Sequence, residues 1–504
     1  MVLGRSATRW GSRRTLALGL GSALACAGVA VASPNAAVVP VGSGWLATHA
    51  PAGKAALPLG KIPAPTPRAH CGPGSLPETG RQGRVALADY ASGRAAKGYT
   101  CNAVVVGHSG STGGFKNFRY VDTAGHTCAF YDGTLLFPTA LAHNETGGVH
   151  VLDMSSPGQP VETTRLVTPA MQSPHESLTL NPKRGLLAAA TGSPATAPGI
   201  VDIYDVSKDC RAPVLKSSTP FGILGHESGF SPDGRTLWVS TTARPGVTAI
   251  DVTDPARPSI IWHSFEYTFH GMNLSADGTR LYGADLSASH GLTILDVSQI
   301  QHRMANPVLA LAAPKVTLVS HLVWPEVSIP QNTNPVTING HKYLVEFDEY
   351  AHTTTSYLAN DPVGAARIIS IDNDRKPFVV STMRLEVNQP AARASDQQKD
   401  PGATYGVQGY AAHYCGVPRE VDPGIVACSF ILSGLRVFDI HDPFHPREIA
   451  YFNKPAPNTL PLKSGSYAMS APTFDVKHHQ IWYADGDSGF WAVQVTNGAW
   501  PKGL

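Results

Sequence analysis

One short phrase recurs about seven times along the chain and restricts what it can fold into. It is clearest at 246–255, which reads Gly-Val-Thr-Ala-Ile-Asp-Val-Thr-Asp-Pro. Related segments occupy 148–153, 200–205, 291–296, 367–372, 434–439 and 489–495. Most of them join β-branched or aromatic residues to Asp, Ser, Thr or Pro, which is typical of a strand that ends in a turn. Most copies are about 45 to 56 residues apart, as in four-stranded propeller blades, so the sequence predicts an all-β, seven-bladed β-propeller.

The phrase also carries a family resemblance. Gly434-Leu-Arg-Val-Phe-Asp439 and its copies resemble the LVIVD repeat of secreted bacterial β-propellers, and the resemblance covers most of residues 100–495. It implies the propeller fold. It implies no particular activity, because propellers host many unrelated functions.

Composition agrees with short strands joined by many turns. The 504 residues include 49 Gly and 41 Pro, and only 15% are charged. The formal net charge is +2 and no basic stripe stands out. The sequence therefore argues against a nucleic-acid-binding protein.

The first 32 residues are predicted to be a signal peptide. An Arg-bearing start precedes an apolar run from Leu16 to about Ala32, and Ala30-Val-Ala32 offers small residues for cleavage. Ser12-Arg-Arg-Thr-Leu16 resembles a twin-arginine signal, with an ordinary secretory signal as the alternative. No later stretch is apolar for long enough to span a bilayer. We expect an exported protein in the periplasm, at the cell surface or outside the cell.

The rest of the chain divides into two parts. Residues 33–98 are rich in Pro, Ala and Gly and show no strand periodicity, whereas 99–504 are predicted to form the propeller. The last blade shows only three strands. We expect the isolated strand at 101–107 to supply the fourth, because such closure removes the exposed edges of an open ring.

Six cysteines follow the leader, and an even number in an exported chain indicates disulfides. Cys415 and Cys428 flank a hairpin turn and are predicted to pair. Cys101 is also expected to pair with Cys128. The pair Cys71–Cys210 then follows only by elimination.

A histidine is expected where the inner strand of six of the seven blades begins. The six are His126, His175, His226, His270, His321 and His413. Inner strands line the central channel of a propeller, so these imidazoles should converge on its axis. Imidazole suits copper, iron and zinc, and the consecutive set His175, His226, His270 and His321 is the favoured ligand group. A purely structural hydrogen-bonding role and the binding of an anion or small acid are the alternatives.

Further polar residues are expected near this site. Glu176 and Glu227 directly follow two of the histidines and are predicted to orient them. The second-to-third connections add acids at the rim: Asp285, Asp348, Glu349, Asp485 and Asp487. Trp324 lies beside His321 and is a candidate ligand contact. Long segments at 349–366 and 386–411 fall on one face, here called the loop face, whereas 325–341 is expected as an insertion on the opposite face.

Two functions remain open from the sequence. The first is a monomeric exported scaffold that binds an unidentified protein or small molecule on the loop face, at the central channel. The alternative is a metal-dependent oxidoreductase with a copper, iron or zinc ion on the axis, acting on a small molecule. No catalytic residue can be named, since the sequence has no nucleophile elbow, P-loop or HExxH motif.

Overall fold

A computed structural model describes residues 63–133, 147–192, 196–242, 244–287, 290–303, 313–324, 329–349, 363–389, 391–392, 409–456 and 466–504. All of them belong to one unit of the chain, Val41–Leu504. Seven antiparallel sheets, each with at least four strands, form the blades of a propeller. The prediction of a seven-bladed β-propeller is confirmed.

The first four blades follow one another along the chain, each written from the inner to the outer strand. Blade 1 is Asn117–Val121, Thr127–Asp132, Val149–Asp153 and Val161–Leu166; blade 2 is Thr179–Asn181, Leu186–Ala190, Thr196–Asp205 and Val214–Gly225. Blade 3 is Glu227–Phe230, Thr236–Ser240, Val247–Asp251 and Ser259–Ser264; blade 4 is Phe269–Leu274, Arg280–Asp285, Gly291–Asp296 and Thr317–Val323.

The remaining blades include the ring closure. Blade 5 is Ile329–Ile338, His341–Glu349, Ala366–Ser370 and Phe378–Met383; blade 6 is Ala412–Gly416, Ile425–Phe430, Gly434–Asp439 and Arg447–Asn453. Blade 7 is Thr473–Asp475, Gln480–Asp485 and Gly489–Val495, with Ala103–Ser109 as its outer strand. The described helices are short: Leu87–Ser92, Pro169–Gln172 and Ser298–Gln301, with 3-10 turns at Ala95–Lys97, His175–Ser177, Glu386–Asn388, Ile431–Ser433 and Val476–His478.

The recurring phrase forms the third strand of every blade, as its turn chemistry predicts. Asp233-Gly234 and Asp277-Gly278 lie in the turns between the first and second strands of blades 3 and 4. Gly234 and Gly278 have φ of +70° and +72°, a conformation that strongly favours glycine.

Ring closure by the N-terminal strand is confirmed. Ala103 pairs with Val495 and Ser109 with Phe490. The strand before it, Tyr99–Cys101, instead pairs with the outer strand of blade 6 as a fifth strand. Asn102, with φ of +50°, joins the two. The N-terminal chain therefore pairs first with the outer strand of blade 6 and then with the third strand of blade 7.

The segment that precedes this strand packs against blades 5 and 6. Glu78 forms a buried ion pair with Arg436, whose Nη1 is also 3.0 Å from Oε1 of Glu448. Nearer solvent, Nε of Arg68 donates to Glu386 over 2.7 Å. The described part of the Pro/Ala/Gly-rich segment is thus anchored by side chains.

One of the three predicted disulfides is confirmed. Cys415 and Cys428 lie opposite each other on the first two strands of blade 6 and are bonded. The other two predictions are wrong, because the bonds are Cys71–Cys101 and Cys128–Cys210. Cys101 lies at the edge of blade 6, whereas Cys128 lies in blade 1, so the predicted partners belong to non-adjacent blades.

Two features bear on the environment of the protein. Three disulfides are typical of a chain that matures in an oxidising compartment. Within the described residues, no helix combines the length and apolar character needed to cross a membrane.

The two long loop-face connections fall where they were predicted, on either side of the last two strands of blade 5. Most of their length, 350–362, 390 and 393–408, lies outside the described residues. The prediction that 325–341 is an opposite-face insertion is wrong, because Ile329–Ile338 is the inner strand of blade 5.

Candidate metal centre on the propeller axis

Four of the six histidines meet at the centre of the ring. His175, His226, His270 and His413 lie at the starts of the inner strands of blades 2, 3, 4 and 6. The ring of His226 is 4.9 Å from that of His175 and 5.1 Å from that of His270, measured between centroids. The sequence therefore predicted the convergence of these four residues correctly.

His126 lies elsewhere. It was predicted to precede the inner strand of blade 1, but it precedes the second strand, because the inner strand is Asn117–Val121. Its Nδ1 is 2.9 Å from Oδ2 of Asp122 and 3.7 Å from Oδ1 of Asp209, and these three residues could hold an ion of their own. Arg211 already pairs with Asp209 at 2.8 Å, which weakens that second group.

His321 is also off the axis. It lies in the outer strand of blade 4, and its Nδ1 is 2.8 Å from Oγ1 of Thr293 on the neighbouring strand. Asp285, another predicted rim residue, is 3.6 Å from the same nitrogen. The inner strand of blade 5 begins after His321, so the expected position of this histidine was wrong.

Trp324 and Asp348 belong to the packing between blades 4 and 5. The Trp324 ring lies 4.1 Å from the guanidinium of Arg367, and Asp348 forms a buried ion pair with the same arginine. Neither residue is joined to the axial histidines.

Glu176 lies at the centre of the axial cluster. Its Oε2 is 2.8 Å from Nε2 of His226 and 3.0 Å from Nε2 of His270, and its Oε1 is 3.3 Å from Nε2 of His413. The glutamate was expected to lie outside the ring of histidines. Instead its carboxylate is surrounded by them, and only 1% of the residue is exposed.

Glu349, expected among the rim acids, reaches the same centre. Its Oε2 is 3.1 Å from Nε2 of His413, and its Oε1 is 3.5 Å from Nε2 of His270. Gln331 donates from Nε2 to Oε1 of Glu176 over 2.6 Å. Two carboxylates and three imidazoles therefore share one buried volume.

A second layer lies beside these groups. Glu227 accepts from Nζ of Lys116 over 2.7 Å and from the side-chain amide of Asn332. The Lys116 ammonium also lies 4.0 Å from the centroid of the Tyr414 ring. Gly271 makes room for this layer, since a Cβ there would lie 2.3 Å from Oε2 of Glu227. Lys116, Gln331, Asn332 and Tyr414 were not singled out from the sequence.

Backbone carbonyls fix the orientation of three of the imidazoles. Nδ1 of His226 lies 3.0 Å from the carbonyl oxygen of Gly192, and Nδ1 of His270 lies 3.0 Å from that of Pro330. Nδ1 of His413 lies 2.6 Å from the carbonyl oxygen of Met469. A proton on each Nδ1 satisfies these contacts and leaves Nε2 directed at the centre. The same arrangement orients histidine ligands in metalloproteins.

One ring nitrogen in the cluster, Nδ1 of His175, is buried without a hydrogen-bond partner among the described residues; Nε2 of His226 makes no well-aligned hydrogen bond but lies 2.8 Å from Oε2 of Glu176. The backbone around His175 is tightly packed. His175 has φ of +53°, and a Cβ on Gly192 would lie 2.9 Å from Cβ of His175. A buried nitrogen without a partner costs free energy unless a ligand satisfies it.

The donor atoms are close enough to share an ion. Those of His175, Glu176 and His226 lie within 4.8 Å of one another, and so do those of Glu176, Glu349 and His413. Ligands about 2.0–2.2 Å from one ion are at most about 4.4 Å apart, so only small side-chain shifts would be needed. These residues could therefore hold a metal ion.

The pKa values of the axial histidines are shifted in opposite directions. Burial lowers the pKa of His175 to about 3. For His270, burial lowers the pKa but Glu176 and Glu349 outweigh it and raise it to about 9. The pKa of His413 is likewise raised to about 9, because hydrogen bonds to the same two carboxylates outweigh burial. Burial raises the pKa of Glu176, but the surrounding histidines together hold it well below its ordinary value. Without metal, the cluster can thus hold imidazolium–carboxylate pairs.

Comparison with known proteins gives distant structural similarities only. No protein-family model matches the chain, and no curated protein matches it. Hydrazine synthase of Kuenenia stuttgartiensis superposes with a TM-score of 0.48 at 11% identity, covering 77% of this chain and 97% of that one. The periplasmic gluconolactonase of Pseudomonas aeruginosa gives 0.44 at 14% identity, over 73% and 96%. The Cps50 propeller domain of Myceliophteria thermophila gives 0.45 at 10% identity, over 78% and 98%. The assignment as a seven-bladed β-propeller rests on the chain's own seven sheets.

Proposed function

We propose that the axial cluster binds a transition metal and that the protein is an exported, metal-dependent oxidoreductase acting on a small molecule. The observation that carries the proposal is the orientation of His226, His270 and His413. Each has Nδ1 beside a backbone carbonyl oxygen and Nε2 within 3.3 Å of one carboxylate. The buried Nδ1 of His175, which has no hydrogen-bond partner among the described residues, supports the same proposal.

The donor set indicates which metals suit the site. Imidazole-rich sites bind copper, iron and zinc, and of these copper and iron can change oxidation state. His226, His270 and Glu176 are at most 4% exposed, so a bound ion would be shielded from bulk water. Such shielding favours a small substrate. The side chain of His175 is the most accessible of the four at 15%, and the Phe115 ring lies 4.3 Å from it as an apolar wall.

A structural scaffold is the second candidate, and one observation favours it. Nε2 of His270 and of His413 each lie within hydrogen-bonding distance of a carboxylate, so protonated imidazoles would satisfy most of the cluster without metal. In that case the site for a partner would lie on the loop face, and the axial groups would only hold the inner strands together.

Metal analysis combined with turnover separates the two. Protein purified without a His tag from copper-, iron- and zinc-supplemented cultures should contain near-stoichiometric metal. The loaded protein should oxidise small reductants, such as thiols or catechols, with uptake of dioxygen. Protein that neither retains nor rebinds metal, yet is folded, would contradict the enzyme and favour the scaffold.

A further inference from the structure

We propose that the axial cluster is a two-ion centre in which Glu176 bridges the ions. This inference rests on the proposed function, because it concerns the same donors, but it makes a separate claim about stoichiometry. The observation behind it is that the two carboxylate oxygens of Glu176 face different histidines.

The first donor set surrounds Oε2 of Glu176. Nε2 of His226 lies 2.8 Å from that oxygen and Nδ1 of His175 lies 3.9 Å from it. Nδ1 of His175 lacks a hydrogen-bond partner among the described residues, whereas Nε2 of His226 is paired with this carboxylate. Both nitrogens can serve as ligands, and with Oε2 they make a three-donor site that leaves coordination positions open.

The second donor set surrounds Oε1 of Glu176. Nε2 of His413 is 3.3 Å from this oxygen and 3.1 Å from Oε2 of Glu349. The donors thus fall into two groups, each within 4.8 Å, that share only Glu176. Because ligands of one ion are at most about 4.4 Å apart, each group is the size of a single-ion site.

His270 lies between the two sets. Its Nε2 is 3.0 Å from Oε2 of Glu176 and 3.5 Å from Oε1 of Glu349, so it can complete either one. In known two-metal sites the ions are about 3.5–4 Å apart and act together on a ligand held between them. The chain places the second carboxylate, Glu349, where such a site needs it.

Cobalt binding gives the test. The untagged full chain is stripped with chelator, titrated with Co²⁺ followed by visible absorption, desalted and analysed for metal. We expect two equivalents in the unmodified chain and one in Glu349→Gln. Asp285→Asn, which alters an acid outside the cluster, should retain two.

The outcomes separate the two proposals. No bound cobalt, copper, iron or zinc in the unmodified folded chain would overturn the proposed function and this inference together. One equivalent would overturn the two-ion centre and leave the metal proposal standing. Since Glu349→Gln could affect folding, Cu²⁺ electron paramagnetic resonance of the unmodified chain is a second readout. We expect the half-field transition of a coupled pair, and only isolated Cu²⁺ signals would overturn the inference.

Discussion

Nε2 of His226 lies 2.8 Å from Oε2 of Glu176, although the two residues come from different blades and neither is held there by its own sheet alone. The 3-10 turn at His175–Ser177 brings the glutamate inward, and the carbonyl of Gly192 orients the imidazole. The contact forms only when blades 2 and 3 pack side by side. Because His413 reaches the same carboxylate from blade 6, the candidate metal centre is complete only when the ring is formed.

Replacing an axial histidine should remove metal, whereas replacing one on an outer strand should not. We expect His413→Ala to lower the metal content by about one equivalent, because it deletes a donor facing both Glu176 and Glu349. His321→Ala is the matched control and should retain the metal content of the unmodified chain. Metal analysis after desalting checks this, and equal loss in both variants would contradict the assignment.

Gly271 should be intolerant of a side chain. A Cβ there would lie 2.3 Å from Oε2 of Glu227 and 2.6 Å from Nδ2 of Asn332, so Gly271→Ala must displace the second layer. We expect a loss of about 1–3 kcal/mol in the free energy of unfolding and weaker metal binding. At Gly229 of the adjacent inner strand, a Cβ would lie 3.4 Å from the carbonyl oxygen of Met272, so Gly229→Ala should lower the free energy of unfolding by a smaller amount. Denaturant titration of both variants measures the two changes in the free energy of unfolding.

The N-terminal segment should depend on one buried arginine. Arg436→Met leaves Glu78 and Glu448 buried without their cation, so we expect a loss of about 3–5 kcal/mol. Arg68→Met breaks an ion pair of the same segment whose arginine side chain is 47% exposed, and it should cost about 0–1 kcal/mol. Comparable losses in the two variants would show that burial of the Arg436 pair does not anchor the segment.

Blade 1 should show an acid-dependent contribution to stability. The hydrogen bond from His150 lowers the pKa of Glu162 to about 2, from an ordinary value of 4.5. A carboxyl whose pKa is lower in the folded chain stabilises it above pH 4.5, and that contribution is lost as pH falls toward 2. Because Glu162 is 35% exposed, solvent screening limits the effect to about 1 kcal/mol.

The measurement is the difference in unfolding free energy between the unmodified chain and Glu162→Gln. It should be largest at neutral pH and shrink as pH falls below 4.5. A difference that stays constant down to the lowest pH at which the chain is folded would refute the pairing with His150.

Local chemistry explains what could be predicted. The phrase at 246–255 and its copies combine strand-forming residues with Asp turns, and both signals are short-range, so the blade count and ring closure followed. The inner strand of blade 5, Ile329–Ile338, was not predicted, because it contains Pro330 and Pro335 and proline is uncommon within sheets. Skipping that strand put His321 at the axis. Similarly, overlooking Asn117–Val121 misplaced His126 and hid Lys116.

The contacts of the candidate site that were not predicted depend on long-range geometry, which no local sequence pattern encodes. Glu349 ends a second strand yet reaches His413 of the next blade, and Tyr414 contacts Lys116 across the ring. Counting strands back from each third-strand phrase would have placed Lys116 directly before the inner strand of blade 1 and Gln331 within that of blade 5. The Cys71–Cys101 disulfide required knowing that the N-terminal chain pairs with blade 6 before it joins blade 7, whereas Cys128–Cys210 joins blade 1 to blade 2.

The most direct test of a metal centre on the propeller axis is the metal content of the untagged full chain after exhaustive desalting, measured together with that of His226→Ala and His270→Ala. We expect at least one equivalent of copper, iron or zinc in the unmodified chain and a content lower by about one equivalent in both variants. A folded chain that neither carries metal nor takes it up, or variants that retain it fully, would rule out a metal centre on the axis.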